Sequence, residues 1–207
     1  ATDRAILDRL LAKADVLIEN FRPGTMAKLG YGWDELKARY PKLIYAACSG
    51  FGQTGPLSQR PAYDMVVQGM GGIMSLTGHE GGSPTRVGTA IGDITAGMFT
   101  AIGVNSALFE RSQTGRGQFI DIAMLDCQLA ILENAIARYF STGQSPGPTG
   151  ARHPAIAPFE CYESGDGHII MAAGNEALYQ KLCDALGVSH LIEDPRFVTN
   201  PDRMEHV

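Results

Sequence analysis

The sequence contains few of the features that mark several common classes of protein. Its four cysteines, Cys48, Cys127, Cys161 and Cys183, are widely spaced without a C-x-x-C pair, which disfavours both a disulfide framework and a cysteine-bound zinc site. The five histidines are also scattered, without the H-E-x-x-H spacing of a zinc enzyme, so we expect no metal site. No uncharged apolar run approaches the roughly 20 residues that a membrane helix requires. A reducing, cytoplasmic location without membrane contact fits these absences best.

Positively charged residues are fewer than negatively charged residues. The chain has 17 Lys and Arg against 22 Asp and Glu, a formal net charge of -5, which gives no support to nucleic-acid binding. Hydrophobic residues make up 44% of the 207 residues and charged residues 19%, the balance of a globular chain that can bury a sizeable core. The many glycines and prolines cluster between periodic segments, which indicates that function is carried on shaped loops.

Short apolar runs alternate with segments of helical spacing, a pattern typical of a parallel sheet with helices on both faces. Buried strands are predicted at residues 14–18, 43–48 and 118–124, and helices at residues 6–11, 33–40, 63–70, 94–111 and 125–140. Such a sheet normally opens with a strand, and none precedes residue 1. We therefore expect an N-terminal strand and helix of this α/β domain to lie outside the sequence.

The character of the sequence changes after residue 140. Ser145 to Pro154 is a long loop without periodicity, followed by a predicted β-hairpin at residues 159–163 and 168–173 and a helix at residues 176–186. The C-terminal part of this second region is expected to lie beyond the sequence. We therefore divide the chain into part of a large α/β domain at residues 1–140, a linker at residues 141–158 and the start of a small mixed α/β domain at residues 159–207.

A glycine motif follows the second predicted strand. Gly50, Gly52 and Gly55 have the G-x-G-x-x-G spacing of a dinucleotide-binding loop. The match is weak because Pro56 and Pro61 bracket a polar stretch that lacks the apolar periodicity of a following helix. Without that helix no dipole faces a pyrophosphate, so we do not expect a dinucleotide cofactor.

A single carboxylate, Asp93, opens the longest uncharged run of the chain, from Ile94 to Phe109. Because Gly97 and Gly103 lack side chains, this run predicts a buried helix that packs closely on its neighbours. Two interpretations of Asp93 follow. It can be an N-cap that accepts backbone N–H groups of the first turn, and, without excluding that role, an ionised nucleophile at the positive end of the helix dipole.

Six short motifs lie in order along almost the whole chain: Glu19–Gly24, Ser49–Pro56, Pro61–Asp64, Gly92–Gly97, Thr114–Gln118 and Asp194–Phe197. Together they resemble the family III CoA-transferases (CaiB/BaiF type), the relatives of formyl-CoA transferase and carnitine CoA-transferase. The resemblance implies a large Rossmann-like domain joined by linkers to a small mixed α/β domain. It also implies an interlocked homodimer.

The resemblance further assigns roles to particular residues. Asp93 matches the catalytic aspartate of the family, and coenzyme A enters as part of the acyl-CoA substrate, with no permanently bound cofactor implied. The CoA-binding positions of the family are matched by Asn20, Phe21 and Arg22 for adenine and ribose, by Lys28 for the phosphates, and by Tyr63 and Asp64 along the active site.

Residues 149–154 fall where the family places a mobile loop over the reacting thioester. Gly150, Arg152 and His153 are the substrate-loop residues implied there. Formyl-CoA transferase has a run of glycines in this loop, so glycine-loop gating does not carry over to this chain. Positive charge from Arg152 and His153 suits a second carboxylate, which favours a dicarboxylic acid substrate.

The implied activity is transfer of CoA from an acyl-CoA donor to a carboxylic acid, through a mixed anhydride on Asp93 and then an aspartyl-CoA thioester. Two alternatives stay open. The α-methylacyl-CoA racemase branch pairs the equivalent aspartate with a histidine, but Tyr63 occupies that position, and tyrosine, with a reference pKa of about 10, is a poor base. The other alternative is a CoA-binding or dimer-forming fragment without activity of its own.

Overall fold

The computed structural model describes residues 2–206, and the chain divides into two compact units. The first comprises residues 1–76 and 84–146, and the second comprises residues 77–83 and 147–207. Among the described residues, no helix combines the length and the apolar character needed to cross a membrane. The domain boundaries drawn from the sequence stay a prediction.

The first unit is built on a parallel sheet. Its elements in chain order are α1 (Thr2–Leu11), β1 (Val16–Glu19), α2 (Thr25–Lys28), α3 (Trp33–Arg39), β2 (Ile44–Ser49), α4 (Asp64–Gly71), α5 (Ile73–Leu76), α6 (Ile91–Thr114), β3 (Phe119–Ala123), α7 (Met124–Ala130) and α8 (Glu133–Thr142). The strands lie in the order β1-β2-β3 and all pair in parallel. The predicted α/β class with a parallel sheet is therefore confirmed.

Helices cover both faces of this sheet. Tyr45 and Ala47 of β2 pack in one apolar cluster with residues of α1, α2 and α3, whereas Cys48 packs in a second cluster with residues of α4, α6 and α7. Successive side chains of a strand point to opposite faces, so the two clusters lie on opposite sides of the sheet. The sheet thus holds the carboxyl end of β2 between two packed layers.

The start and the burial of α6 differ from the sequence prediction. Ala90 occupies the N-cap, so Asp93 is the third helical residue and the N-cap interpretation of Asp93 is wrong. The helix begins earlier because the backbone N–H of Gly92 is held by a side chain of α4. One face of α6 is also exposed, contrary to the predicted burial, and its large apolar residues are Ile94, Met98, Ile102 and Phe109.

The helix predicted at residues 125–140 is two helices, α7 and α8. The break falls at Ile131 and Leu132, where ψ is -2° and 19°, away from the α-helical range. Neither residue is a glycine or a proline, so the pattern contained no signal for this interruption.

The second unit confirms the predicted hairpin and the helix after it. Its elements are β4 (Phe159–Ser164), β5 (Gly167–Ala172), α9 (Glu176–Leu186), a 3₁₀ turn (Ser189–Leu191) and α10 (Asn200–Glu205). Strands β4 and β5 pair antiparallel. Helix α10, which the sequence pattern did not predict, begins at a capping box in which Thr199 and Asp202 bond reciprocally. Residues 77–83 belong to this unit, and the carbonyl oxygen of Gly78 accepts the N–H of Gly150 at 2.9 Å.

Candidate active site

An open cavity of about 850 Å³ lies in the first unit, beside the carboxyl ends of β1 and β2. Glu19 closes β1, Ser49 closes β2, and both line the cavity together with Asp93 and Gly97 from the first turns of α6. Ligands of open α/β sheets bind at this edge because the loops that follow the strands converge there. Its position therefore makes this cavity the candidate active site.

Five of the residues predicted as site residues line this cavity. They are Asn20, Phe21, Arg22, Tyr63 and Asp93. The first three form the loop directly after β1, and Tyr63 precedes α4 with 81% of its surface exposed. The structure thus brings the predicted nucleophile and the predicted CoA loop to the same cavity.

Two of the predicted CoA-binding residues do not line it. Lys28 is exposed at the end of α2. Asp64 does not line the cavity; it is the first residue of α4, and its carboxylate accepts the backbone N–H of Gly92. The predicted roles of both residues stay predictions.

Asp93 lies in the first turn of α6, where the helix dipole favours a negative charge. Burial of the carboxylate by its surroundings and, to a lesser extent, the negative charge of Asp64 raise the pKa of Asp93 above its ordinary value. The carboxylate is nevertheless exposed on the cavity side. It is therefore a partly desolvated acid that a ligand in the cavity can reach.

Glu19 was not predicted as a site residue, and it organises the loop that follows β1. The buried carboxylate accepts the N–H of Phe21 at Oε2 (2.7 Å) and the hydroxyl of Tyr45 at Oε1 (3.2 Å). Burial and the nearby charge of Glu19 raise the pKa of Tyr45, so its hydroxyl stays protonated and donates. An acidic residue that closes an otherwise apolar strand was the available sequence signal.

Two further side chains at the cavity were missed. Arg60 adds a cation in addition to Arg22, although the sequence indicated only a polar stretch there. Cys48 contributes a thiol whose pKa is raised, chiefly by burial and partly by the charge of Asp93, so the thiol stays neutral. Among residues 2–206, no group of three or more His, Cys, Asp or Glu side chains is arranged to hold a metal ion.

Comparison with known proteins assigns the chain to a family. The model of the family described as CoA-transferase family III matches residues 1–207. The chain belongs to CoA-transferase family III.

Similar family III proteins extend over a longer chain. The acetyl-CoA:oxalate CoA-transferase of Acetobacter aceti is 49% identical over 203 residues, which cover 98% of this chain and 52% of that relative. The succinate–glutarate CoA-transferase of Agrobacterium fabrum is 41% identical over 202 residues, covering 98% and 50%. A crystal structure of a CAIB/BAIF family protein from Brucella suis has a TM-score of 0.84 at 44% identity, covering 98% of this chain and 54% of that chain. This chain thus spans about half the length of the curated family III relatives it matches.

The residues of the predicted family III substrate loop lie in the second unit and are held there by local contacts. Gly150 adopts a φ of 64°, which favours glycine. The guanidinium of Arg152 forms an ion pair with Glu80 (Nη2 to Oε2, 3.3 Å), and the ring of His153 stacks on that of Phe159 with centroids 5.0 Å apart. Arg152 therefore already has an anionic partner.

Proposed function

We propose that the protein containing this chain is an acyl-CoA:carboxylate CoA-transferase in which Asp93 is the nucleophile. The observation that carries this proposal is the cavity shared by Asp93 and the loop Asn20–Arg22, in a chain of CoA-transferase family III. The relatives from Acetobacter aceti and Agrobacterium fabrum are both named as CoA-transferases, which supports the same reaction class here. Asn20, Phe21, Arg22 and Tyr63 would contact the CoA moiety, and coenzyme A would enter only as substrate.

The proposed reaction is a sequence of acyl transfers through one carboxylate. A carboxylate oxygen of Asp93 attacks the thioester carbon of the acyl-CoA, forming an acyl-aspartyl anhydride and releasing CoA as thiolate. The thiolate then attacks the aspartyl carbonyl carbon, which releases the donor acid and leaves an aspartyl-CoA thioester. The acceptor carboxylate attacks the carbonyl carbon of that thioester, forming a second anhydride and again releasing CoA as thiolate. The thiolate finally attacks the acceptor's acyl carbon, giving the new acyl-CoA and free Asp93.

The environment of Asp93 suits this chemistry. The reaction needs an ionised carboxylate and no general base, because a carboxylate is already a nucleophile at neutral pH. The dipole of α6 supports the charged form. The racemase alternative is disfavoured because Tyr63, at the cavity rim, replaces the histidine that proton abstraction requires.

A dicarboxylic acid is the proposed acceptor class. The names of the relatives from Acetobacter aceti and Agrobacterium fabrum include dicarboxylates, namely oxalate, succinate and glutarate. We retain Gly150, Arg152 and His153 as the substrate-loop residues, with Arg152 recognising the second carboxylate. Glu80, its present partner, has a side chain that is 78% exposed, and an exposed ion pair of this kind is readily exchanged for a substrate carboxylate.

The same proposal includes self-association and a cytoplasmic location. The exposed apolar face of α6 supports the interlocked homodimer that the resemblance implies, since such a face normally has a covering partner. Residues four apart on a helix lie on one side of it, so Ile94, Met98 and Ile102 form a continuous stripe.

Acyl exchange tests the proposed function directly. The intact protein is mixed with acetyl-CoA or succinyl-CoA and with oxalate or glutarate, and the acyl-CoA products are separated. Asp93→Asn is expected to lower turnover about a thousandfold or more, because the nucleophile is lost. During turnover hydroxylamine should label Asp93.

Asp126→Asn is the matched control, because Asp126 is also the third residue of a helix but is exposed and outside the cavity. It should retain turnover. A folded Asp93→Asn protein with undiminished exchange would remove Asp93 from the mechanism. Deuterium uptake at Cα of an acyl-CoA, without CoA exchange, would instead indicate a racemase.

A further inference from the structure

Gln68 of α4 is a polar side chain with no exposed surface, although it was not predicted as a site residue. Its amide nitrogen donates to Oδ2 of Asp64 (2.7 Å) and to the carbonyl oxygen of Thr89 (3.3 Å), and its Oε1 accepts the N–H of Val87 (2.9 Å). Both amide hydrogens and the carbonyl oxygen are thus in use. A buried amide with every donor satisfied fixes the groups around it.

Two of these partners belong to the segment that leads into α6. Val87 and Thr89 belong to neither a helix nor a strand. Val87 is partly buried, so its backbone N–H needs a partner within the protein. Gln68 supplies one to Val87 and another to Thr89, on either side of Gly88. The side chain therefore holds the approach to α6 at two points.

Asp64 extends the same network to the residue before Asp93. Its Oδ2 accepts from Gln68, and its Oδ1 accepts the N–H of Gly92 at 2.8 Å. Gly92 packs so closely on α4 that a Cβ there would lie 2.6 Å from Cγ2 of Val67. The first turn of α6 is therefore fixed against α4 at the residue adjacent to the proposed nucleophile.

We propose that Gln68 is a positioning residue for Asp93. It bonds Val87 and Thr89 directly and orients Asp64, and Asp64 in turn fixes Gly92 beside the nucleophile. Gln68 itself touches no substrate in this arrangement, since it does not line the cavity. The catalytic part of this inference rests on the proposed function, whereas the structural part does not.

A second buried glutamine, Gln128, serves as a control for the effect of packing alone. Gln128 of α7 is also fully buried and makes no side-chain hydrogen bond to any group in the described part of the chain. Replacing a buried amide that has no hydrogen-bond partner with leucine removes a desolvation penalty. The same change at Gln68 removes three hydrogen bonds. Gln68→Leu and Gln128→Leu thus make the same change of side chain at equally buried positions, but only Gln68→Leu removes hydrogen bonds.

The first measurement separates kcat from KM in the acyl-exchange assay of the intact protein. Gln68→Leu is expected to lower kcat about 10- to 100-fold, because displacement of a reacting group by about 1 Å has an effect of that size. The KM for acyl-CoA should stay within about twofold, since the loop after β1 is not touched. Gln128→Leu should keep both parameters. Equal kcat values in the two variants would overturn the proposal.

The second measurement needs no activity. Amide hydrogen exchange at Val87 and Gly92 should accelerate about tenfold or more in Gln68→Leu, and stay unchanged in Gln128→Leu. If Gln68→Leu does not fold, Gln68→Asn replaces it, because its amide is one methylene too short to reach Asp64 and Val87 together. Unchanged exchange in the folded variant would refute the positioning role. Absence of CoA transfer in the wild type, with accelerated exchange in the variant, would refute only the proposed function.

Discussion

At the scale of single residues, the surroundings of Asp93 determine the pH at which the proposed nucleophile is ionised. Burial and then the charge of Asp64 raise the pKa of Asp93, while Cys48, from β2, faces the same region with a neutral thiol. An acid with a raised pKa needs a higher pH to lose its proton. Activity on acidification should therefore begin to fall at a higher pH than for an ordinary aspartate.

Asp64→Asn tests this electrostatic coupling. The substitution removes the negative charge, so the pKa of Asp93 should fall and the acidic limb of the kcat/KM profile should move to lower pH. The limb is read from the shape of the profile, so a lower absolute rate does not obscure it. Asp126→Asn should leave the limb in place. An unmoved limb in Asp64→Asn would show that another group governs the profile.

The site residues that the sequence suggested lie in continuous motifs, whereas those that it did not suggest depend on contacts between distant residues. Asp93 and Asn20–Arg22 stand in motifs that are continuous in the chain, so the pattern could propose them as site residues before the fold was known. Gln68 and Glu19 gain their roles from partners that the pattern does not bring together, such as Val87 or Tyr45. A buried polar residue is informative only once its burial is known.

At the scale of elements, Gly97 and Gly103, two of the three glycines of α6, allow a stability prediction. A Cβ on Gly97 would have no atom within 4 Å, whereas a Cβ on Gly103 would lie 3.0 Å from Cγ2 of Ile120 on β3. Alanine is favoured over glycine by roughly 1 kcal/mol in a helix interior. Gly97→Ala should therefore raise the free energy of unfolding by up to about that amount.

Gly103→Ala has the same gain in helix propensity but must displace Ile120, so its effect on stability should be smaller or reversed. Urea unfolding of the two variants measures the difference. Because Gly97 lines the cavity, the comparison concerns stability and not turnover. Equal stabilisation by both substitutions would show that α6 does not depend on close packing against β3.

Element prediction succeeded where the pattern was regular and failed where tertiary contacts decided. The alternation of apolar strands and helices gave β1, β2 and β3 within a few residues. It missed the start of α6, because the bond from Gly92 to Asp64 joins residues far apart in sequence. An uncharged helix was also mistaken for a buried one, since composition alone does not show which face has a partner.

At the scale of the whole molecule, the secondary-structure class of each unit was predictable from the sequence. The sequence did not predict that residues 77–83 belong to the second unit. The hairpin β4–β5 follows from period-two patterning around a tight turn. Residues 77–83 join that unit through Gly78 and Gly150, which lie more than 70 positions apart. A glycine-rich connection has no periodicity that would reveal such a partner.

The second unit is held together around one buried cation. Arg203 is 4% exposed and donates to both carboxylate oxygens of Glu176 (2.9 Å each), to the carbonyl oxygen of Ala157 (2.8 Å) and to that of Phe197 (2.9 Å). Its guanidinium lies 4.3 Å from the ring centroid of Tyr179. Arg203→Met keeps an apolar stem but leaves the carbonyls without donors, so we expect a loss of about 2–3 kcal/mol of unfolding free energy.

The same contact makes the second unit sensitive to acid. The hydrogen bond from Arg203 lowers the pKa of Glu176 in the folded protein. This contact therefore stabilises the fold at any pH above the pKa of Glu176 in the unfolded chain. The stabilisation is lost as the pH falls through the lower pKa of the folded protein. Amide exchange of residues 147–206, measured relative to the intrinsic exchange rate at each pH, should therefore accelerate on acidification in the wild type, and less steeply in Glu176→Gln, which cannot titrate. Arg39→Met, which removes an exposed ion pair with Asp8 in the first unit, is the control and should leave that exchange unchanged. An equal acid response in Glu176→Gln would mean that another carboxylate carries the pH dependence of this unit.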